Sequence, residues 1–466
     1  MQKRITIIGT GYVGLVTGVC LASRGHYVQC VDVLPERVEA IMDHRAPFYE
    51  PRLAELLAAE RASGRLTATT NLDEAVVGSE ITFIAVGTPE GPSGVELSAV
   101  CAAARQAGAA IGRAPGYHLV AMKSTVLPGT TETVVRDLLE ASSGKRVGEF
   151  GLCMNPEFLR EGSAIEDFLT PDRIVIGQWD ERSGQTLAEV YQPFDCPKIF
   201  TTLANAEMTK YASNALLATL ISFSNEIAML CEATPHTDVG SVLQSVKLDR
   251  RLSPVVGGHL ITPGILSFLW AGCGFGGSCL PKDVNALRAF ARQRTLSPHL
   301  LDAVIKINAA RPAALVRLVE TAVGSLRGAR IAVLGLAFKA GTDDLRDSSA
   351  LSAIRLLSKH GALVTAYDSV VKAFPRGLEF DDLARICATP EETLRGADAV
   401  VVTMDSPEFS AWDWRRLCAL MRQPIVVDGR NSLSKAAHQA GMHYITIGRM
   451  QEAEKPVSAI GLRSLA

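Results

Sequence analysis

Residues 272–283 read Gly-Cys-Gly-Phe-Gly-Gly-Ser-Cys-Leu-Pro-Lys-Asp. Glycines carry no Cβ, so backbone and substrate can both come close to the thiol of Cys279, which makes it the candidate nucleophile. If Pro281 opens a helix, Asp283 lies in its first turn, faces back toward the loop and is favoured there by the helix dipole. The pattern puts a base beside a thiol. Further along the chain, Glu157 and Glu161 stand four apart with Arg160 between them, in a loop directly after an apolar strand. A long apolar helix, residues 204–231, carries Glu207, Lys210 and Asn214 on one stripe. A lysine on such a stripe can hold an oxyanion.

Such groups need a scaffold, and the N-terminus supplies the clearest one. Residues 4–8 form a β-rich run leading into Gly9-Thr10-Gly11-Tyr12-Val13-Gly14; an apolar helical pattern follows, then a second strand that ends at Asp32. This is the strand, glycine turn, helix, strand, acid order of a dinucleotide-binding unit. The glycines let a pyrophosphate reach the helix N-terminus, and the acid holds the ribose hydroxyls. A carboxylate at Asp32 repels the 2′-phosphate of NADP, so NAD is the expected cofactor. Arg37 lies either over the adenine or in solvent. Two more buried-type strands run into loops, one with Thr88 and one with Thr125, and both loops should border the nicotinamide. Thr125 is a site residue there or a cap of the helix that follows.

From Arg330 the chain repeats the strand-to-turn opening, but the second and third motif glycines are missing, so no second NAD is expected. Strands alternate with helices to the C-terminus, as in another Rossmann-like unit. Lys339, Arg346 and Arg430 sit near strand ends, where cations suit a phosphate-bearing ligand. A cysteine is unnecessary for a single alcohol oxidation. It becomes useful when an aldehyde is oxidised further, through a thiohemiacetal and a thioester.

Composition limits the alternatives. A net charge of −2, with no basic run, argues against nucleic acid as a partner. The ten cysteines are scattered without CxxC spacing, which suits a reducing cytoplasm, and no His cluster joins them as metal ligands. The apolar run after Lys3 and Arg4 holds four glycines and reads as structure instead of a signal peptide. Residues 212–230 are broken by Asn214, Ser222, Ser224, Asn225 and Glu226, so they read as a buried or interface helix and not a membrane span.

With these motifs in place the chain resembles the UDP-glucose/GDP-mannose dehydrogenase family over nearly its whole length. The resemblance rests on residues 9–14, Lys123-Ser124-Thr125-Val126 with Pro128-Gly129-Thr130, residues 155–162, the helix of Lys210 and Asn214, residues 274–283, and residues 338–346. It implies an α/β chain of two Rossmann-like, doubly wound parallel-sheet domains joined by a long central helix and a helical dimerisation region. The implied segments are an NAD-binding domain at 1–203, a central helical domain with the cysteine loop and dimer interface at 204–310, and a nucleotide-sugar-binding domain at 311–466. The implied reaction is a four-electron oxidation of a sugar C6 alcohol to the carboxylate by two NAD and one water.

Carried over by motif, Cys279 is the nucleophile, Asp283 and Lys210 assist proton transfer and hold oxyanions, and Asn214 adds a donor. Thr125 and Glu157 position the hydrolytic water. Gly9, Gly11, Tyr12, Val13, Gly14, Asp32, Arg37, Thr88, Thr125, Glu161 and Arg346 line the NAD side. Phe158, Leu159, Arg160, Lys210, Asn214, Phe275, Gly276, Phe338, Lys339 and Arg430 hold the nucleotide sugar. The Asp428-Gly429-Arg430 turn resembles members acting on UDP-glucose, which places that substrate ahead of GDP-mannose, dTDP-glucose and UDP-N-acetylhexosamines. Residues 251–270 depart from the family pattern, and none is assigned. A non-catalytic sensor of nucleotide sugar or NAD is the alternative of another class; it has no need of Cys279, Lys210 and Asp283 together. The expected assembly is a homodimer or larger homo-oligomer.

Overall fold

The computed structural model describes residues 2–91, 94–375, 377 and 379–450. They divide into two compact units, each drawn from separate stretches of chain: 2–218, 276–305 and 339–346 in the first, 219–275, 306–338 and 347–450 in the second.

Short apolar runs, buried on both faces except in the two edge strands, make the strands of the first unit. They are β1 (Arg4–Ile8), β2 (Tyr27–Val31), β3 (Leu66–Thr69), β4 (Ile81–Ile84), β5 (Leu119–Met122), β6 (Gly151–Met154), β7 (Ile174–Gln178) and β8 (Lys198–Thr202). Their order is β8-β7-β6-β5-β4-β1-β2-β3, parallel throughout except where β6 meets β7. Helix α1 (Tyr12–Ser23) packs on one face, where Ile5 and Ile7 meet Leu15 and Val19. Alternate positions point the other way, so Ile8 joins Ile84, Met122 and Met154 in a second core. The run after Lys3 and Arg4 is thus the middle of a sheet. Because these strands are parallel, the loops after β1, β2, β4, β5 and β6 leave from one edge, where doubly wound sheets bind ligands.

The second unit holds β9 (Arg330–Leu334), β10 (Leu363–Tyr367), β11 (Ala384–Ile386), β12 (Ala399–Val402), β13 (Ile425–Asp428) and β14 (His443–Thr446). The order β11-β10-β9-β12-β13-β14, all parallel, repeats that of the first six strands. After β10 the acid Asp368 is taken up by its own turn, accepting from the backbone N–H groups of Leu336 at 2.8 Å and Ala337 at 3.1 Å.

Helix α2 (Leu203–Glu232) contributes residues to both units. By length and composition it could cross a membrane. Its Glu207, Lys210, Asn214 and Asn225 are nevertheless buried and hydrogen-bonded within the protein, unlike the polar residues of a lipid-facing helix. Two more helices carry site residues, α3 (Leu280–Gln293) and α4 (His299–Val323). Residues 252–258 read from sequence as plain loop. They instead open a hairpin, Val255–Val256 against His259–Leu260, because two β-branched residues run into a two-residue Gly-Gly turn.

Candidate active site

The dinucleotide turn begins where β1 ends. Gly9 has φ +98°, a left-handed conformation, and a Cβ at Gly14 would stand 1.9 Å from its carbonyl oxygen, so helix and strand close in only without side chains. Gly11, the N-cap of α1, offers no side-chain cap and has open space before it, which leaves the first N–H groups of the helix for an anion. Asp32 follows β2. It accepts from the N–H of Thr10 at 2.8 Å, the Thr10 hydroxyl at 2.6 Å and the N–H of Leu34 at 3.0 Å, with Arg37 at 3.6 Å. Burial alone would raise its pKa, but those hydrogen bonds and the Arg37 charge outweigh burial and hold it below the usual range. It is therefore a carboxylate with acceptor capacity to spare.

These residues fit NAD. Asp32→Ala should weaken NAD about 10- to 100-fold, the loss of a charged hydrogen bond, and relax discrimination against NADP. Titration calorimetry with both nucleotides checks this, and an unchanged preference would mean that the acid does not read the ribose.

Around that turn the strand-end loops are tied together. Thr88 donates its hydroxyl to the Thr125 carbonyl at 2.9 Å. The next helix, Thr131–Val135, has its N-cap at Thr130, so Thr125 does not cap it; Glu207 of α2 accepts from the N–H groups of Gly129 and Thr131 at 2.6 and 2.8 Å. Burial pushes Glu207 up to about 7 in spite of those hydrogen bonds. Tyr12 donates its phenol to Glu50, whose carboxylate also accepts the N–H groups of Gly162 and Ala164, each at 2.7 Å. Val13 is half-buried beside it.

Cys279 is the N-cap of α3, and Pro281 falls in the first turn as its fixed φ favours. The N–H of Asp283 donates to the Cys279 carbonyl at 2.9 Å, closing the first turn, and its carboxylate is near enough to oppose ionisation of the thiol. Asp283 is buried, with one oxygen 2.6 Å from the Asn214 amide that donates to it and the other 2.8 Å from Lys282 Nζ. One helical turn before Asn214, Lys210 donates to Glu157 Oε1 at 2.8 Å, both groups buried. Glu157 Oε2 accepts the N–H of Leu159 at 2.7 Å. The ring of Phe158 lies 5.6 Å from Lys210 Nζ.

Electrostatics bind these groups into one cluster. Burial would lower Lys210, but the negative charge of Glu157, with that of Asp283, raises it overall, so the lysine is a cation. Burial would raise Glu157, and Lys210 reverses that. Burial and then Glu157 push the Cys279 thiol up, against the pull of Lys210 and Ser278. At rest Cys279 is a thiol.

A second group of acids flanks the cysteine. Ser278 Oγ donates to Glu161 Oε1 at 3.0 Å and lies 3.5 Å from Cys279 Sγ. Arg346 holds Asp344 at 2.8 Å and Glu161 at 3.5 Å, and its carbonyl accepts from the N–H of Gly277. Burial, then Asp344, pushes Glu161 up to about 7. Lys339 is lowered by burial, against the pull of Glu161.

Cys279, Asp283, Lys210, Asn214, Glu157, Glu161 and Arg346 thus come together within the first unit. The Arg160 guanidinium pairs with Asp167 at 2.6 Å, and its neighbours Phe158 and Leu159 lie against the Lys210–Glu157 pair. In the second unit the N–H and carbonyl of Phe275 are both held by the Asn308 amide of α4. Arg430 donates to the carbonyls of Thr403 and Gly274, at 2.8 and 2.9 Å, so part of its guanidinium braces the start of the glycine loop. Gly276 follows in that loop, and Phe338 is half-buried.

Sequence reasoning did not assign Ser278, Glu50 or Lys123 to the site. Lys123 is buried at the end of β5, donates to Asn155 Oδ1 at 3.0 Å, and is pushed down to about 8 by burial against the pull of Glu157. A lysine closing a wholly apolar strand was the available signal.

Comparison with known proteins agrees with this arrangement. Three domains described for the UDP-glucose/GDP-mannose dehydrogenase family match the chain: the NAD binding domain at residues 3–195, the central domain at 204–310 and the UDP binding domain at 332–435. The chain is 43% identical to UDP-glucose 6-dehydrogenase of Rhizobium meliloti, covering 96% of this chain and 99% of that protein. It is 40% identical to GDP-mannose 6-dehydrogenase of Azotobacter vinelandii, covering 79% and 82%. Among solved structures, a UDP-glucose dehydrogenase from Pyrobaculum islandicum superposes with a TM-score of 0.86 at 39% identity, over 96% of this chain and 98% of that one. A turn built for NAD and a half-buried cysteine flanked by a lysine and carboxylates thus sit in a chain that belongs to the UDP-glucose/GDP-mannose dehydrogenase family.

Proposed function

We propose that the chain oxidises the C6 alcohol of UDP-glucose to the carboxylate, giving UDP-glucuronate. The observation that carries this reading is Cys279 at the head of α3 with the Lys210–Glu157 pair beside it, since a two-electron oxidation has no use for a nucleophile. NAD, on the Gly9–Gly14 turn with Asp32 at its ribose and Arg37, Thr88, Glu161 and Arg346 alongside, supplies the hydride acceptor for both oxidations. As the alcohol becomes the aldehyde, Asp283 takes the hydroxyl proton while Lys210 and Asn214 hold the charge that develops on oxygen. Cys279 then loses its proton and forms a C–S bond to the aldehyde carbon, and the oxygen takes a proton to complete the thiohemiacetal. Removal of a second hydride and of that proton leaves the thioester. Thr125 and Glu157 position a water that adds to the thioester carbon; the C–S bond breaks and Cys279 leaves as the thiolate.

The nucleotide sugar is assigned to Phe158, Leu159, Arg160, Phe275, Gly276, Phe338, Lys339 and Arg430. The segments 1–203, 204–310 and 311–466 are proposed as the cofactor, catalytic and nucleotide-sugar domains. Exposed Leu216, Phe223, Met229 and Leu230 on α2 support a homodimer that covers this helix.

Incubation with UDP-glucose, UDP-GlcNAc, GDP-mannose and dTDP-glucose, counting NADH per sugar at completion, tests the reading. Two NADH on UDP-glucose is the expected result. Two on another sugar reassigns the substrate, one demotes Cys279 to structure, and none on any sugar favours a sensor.

A further inference from the structure

The chemistry above leaves one proton without a path. Cys279 is a thiol at rest, and its sulfur must be deprotonated before it can attack. The carboxylates whose charges oppose the thiolate, Glu157 and Asp283, serve the water and the sugar hydroxyl in the steps above. Glu157 gives one oxygen to Lys210 and the other to the Leu159 N–H. Asp283 gives one to Asn214 and has Lys282 against the other. The hydrogen-bond partner of the sulfur itself is Ser278 Oγ, at 3.5 Å. That hydroxyl donates onward to Glu161 Oε1 at 3.0 Å, so its lone pairs face the thiol and its proton faces the acid.

We propose that Ser278 and Glu161 are the proton exit of Cys279: the thiol proton passes to Ser278 Oγ as the Ser278 proton passes to Glu161 Oε1. The products are a Cys279 thiolate and a neutral Glu161, so charge and protons balance. Ser278 touches the reacting sulfur and is catalytic; Glu161 acts through it. The surroundings suit the transfer. Arg346 and Lys339 face Glu161 as cations and Asp344 as an acid, while the Tyr12–Glu50 pair stands behind it. Around the sulfur, Lys210 favours the thiolate, and Glu157 and Asp283 oppose it. Burial and Asp344 keep Glu161 a base of near-neutral strength, about 7, able to take a proton and to return it.

This inference rests on the reading of Cys279 as nucleophile, and its test needs no turnover. The protein without nucleotide is treated with iodoacetamide from about pH 5.5 to 10, and alkylation of the Cys279 peptide is followed by mass spectrometry. The wild type should show two rises, one as Glu161 loses its proton and one at higher pH as the thiol ionises unaided. Ser278→Ala and Glu161→Gln should both lose the lower rise, reacting at least about 10-fold more slowly near pH 8. Ser278→Thr, which keeps the hydroxyl, should retain it. Far-UV circular dichroism and cooperative urea unfolding report that each variant is folded. A single rise in the wild type, a lower rise that survives in Ser278→Ala, or its loss in Ser278→Thr overturns the relay and leaves the thioester chemistry standing. Full oxidation to acid by a Cys279→Ser enzyme would instead overturn the nucleophile and the relay with it.

Discussion

Cys279→Ser should lower formation of the carboxylate by at least about 1,000-fold while NAD binding stays unchanged, because the variant keeps the turn at residues 9–14 and loses only the sulfur. The reason is ionisation. Burial and the Glu157 charge already push the thiol up, and a hydroxyl in the same place starts from a far higher pKa, so its alkoxide is vanishingly rare. Any adduct that did form would also have to expel an alkoxide instead of a thiolate. The first oxidation does not need the sulfur, so the variant should still convert alcohol to aldehyde slowly, with one NADH per sugar and a carbonyl that can be trapped with a hydrazine. Single-turnover quench with product analysis distinguishes the steps. Two NADH per sugar at close to the wild-type rate would refute the thioester route.

What could be read from sequence alone divides along physical lines. The parallel strands of both units were legible because buried strands announce themselves as apolar runs, and the turn at Gly9 to Gly14 because only glycine tolerates Gly9's φ and Gly14's contact. The position of Asp283 was legible because a proline fixes where a helix starts. Lys210 and Asn214 were visible as polar breaks in an apolar stripe. Their partners were not: Glu157 lies 53 residues from Lys210 and Asp283 69 from Asn214, and no local pattern encodes contacts at that separation. Glu50 was invisible for a related reason, since its ligands are a phenol and two backbone N–H groups, which leave no trace in residue type. Ser278 was seen as polar, but its role depends on the rotamer that turns its hydroxyl from Cys279 to Glu161. Arg160 shows the reverse case. Its guanidinium pairs with Asp167, seven residues on, a local contact that the charge pattern around Glu157 and Glu161 did not suggest.

Lys210→Met should cost both activity and stability, and the two losses can be separated. Methionine nearly matches the lysine in volume, so the packing against Phe158 survives while the charge is lost. Without a cation beside the reacting oxygen, kcat should fall about 100- to 1,000-fold, the usual effect of removing one oxyanion donor. Glu157 is then buried without its partner, and breaking such a pair costs about 3–5 kcal/mol.

The pH dependence carries the sign of that cost. In the wild type Glu157 is held below its ordinary pKa, so its contribution is present above the unfolded value and is lost as pH falls through the folded one. Lys210 is raised, so its contribution is full below its unfolded value and is lost only in strong alkali. The stability gap between wild type and variant, measured by urea unfolding, should therefore narrow as pH falls, first as the unpaired Glu157 of the variant takes up a proton and then as the wild-type Glu157 does. Adding Glu157→Gln to Lys210→Met removes the stranded charge and should return much of the lost stability, but none of the lost turnover. A double variant that regained both would make Lys210 a structural counter-ion, and a single variant within about fivefold of wild-type kcat would remove it from the oxyanion chemistry altogether.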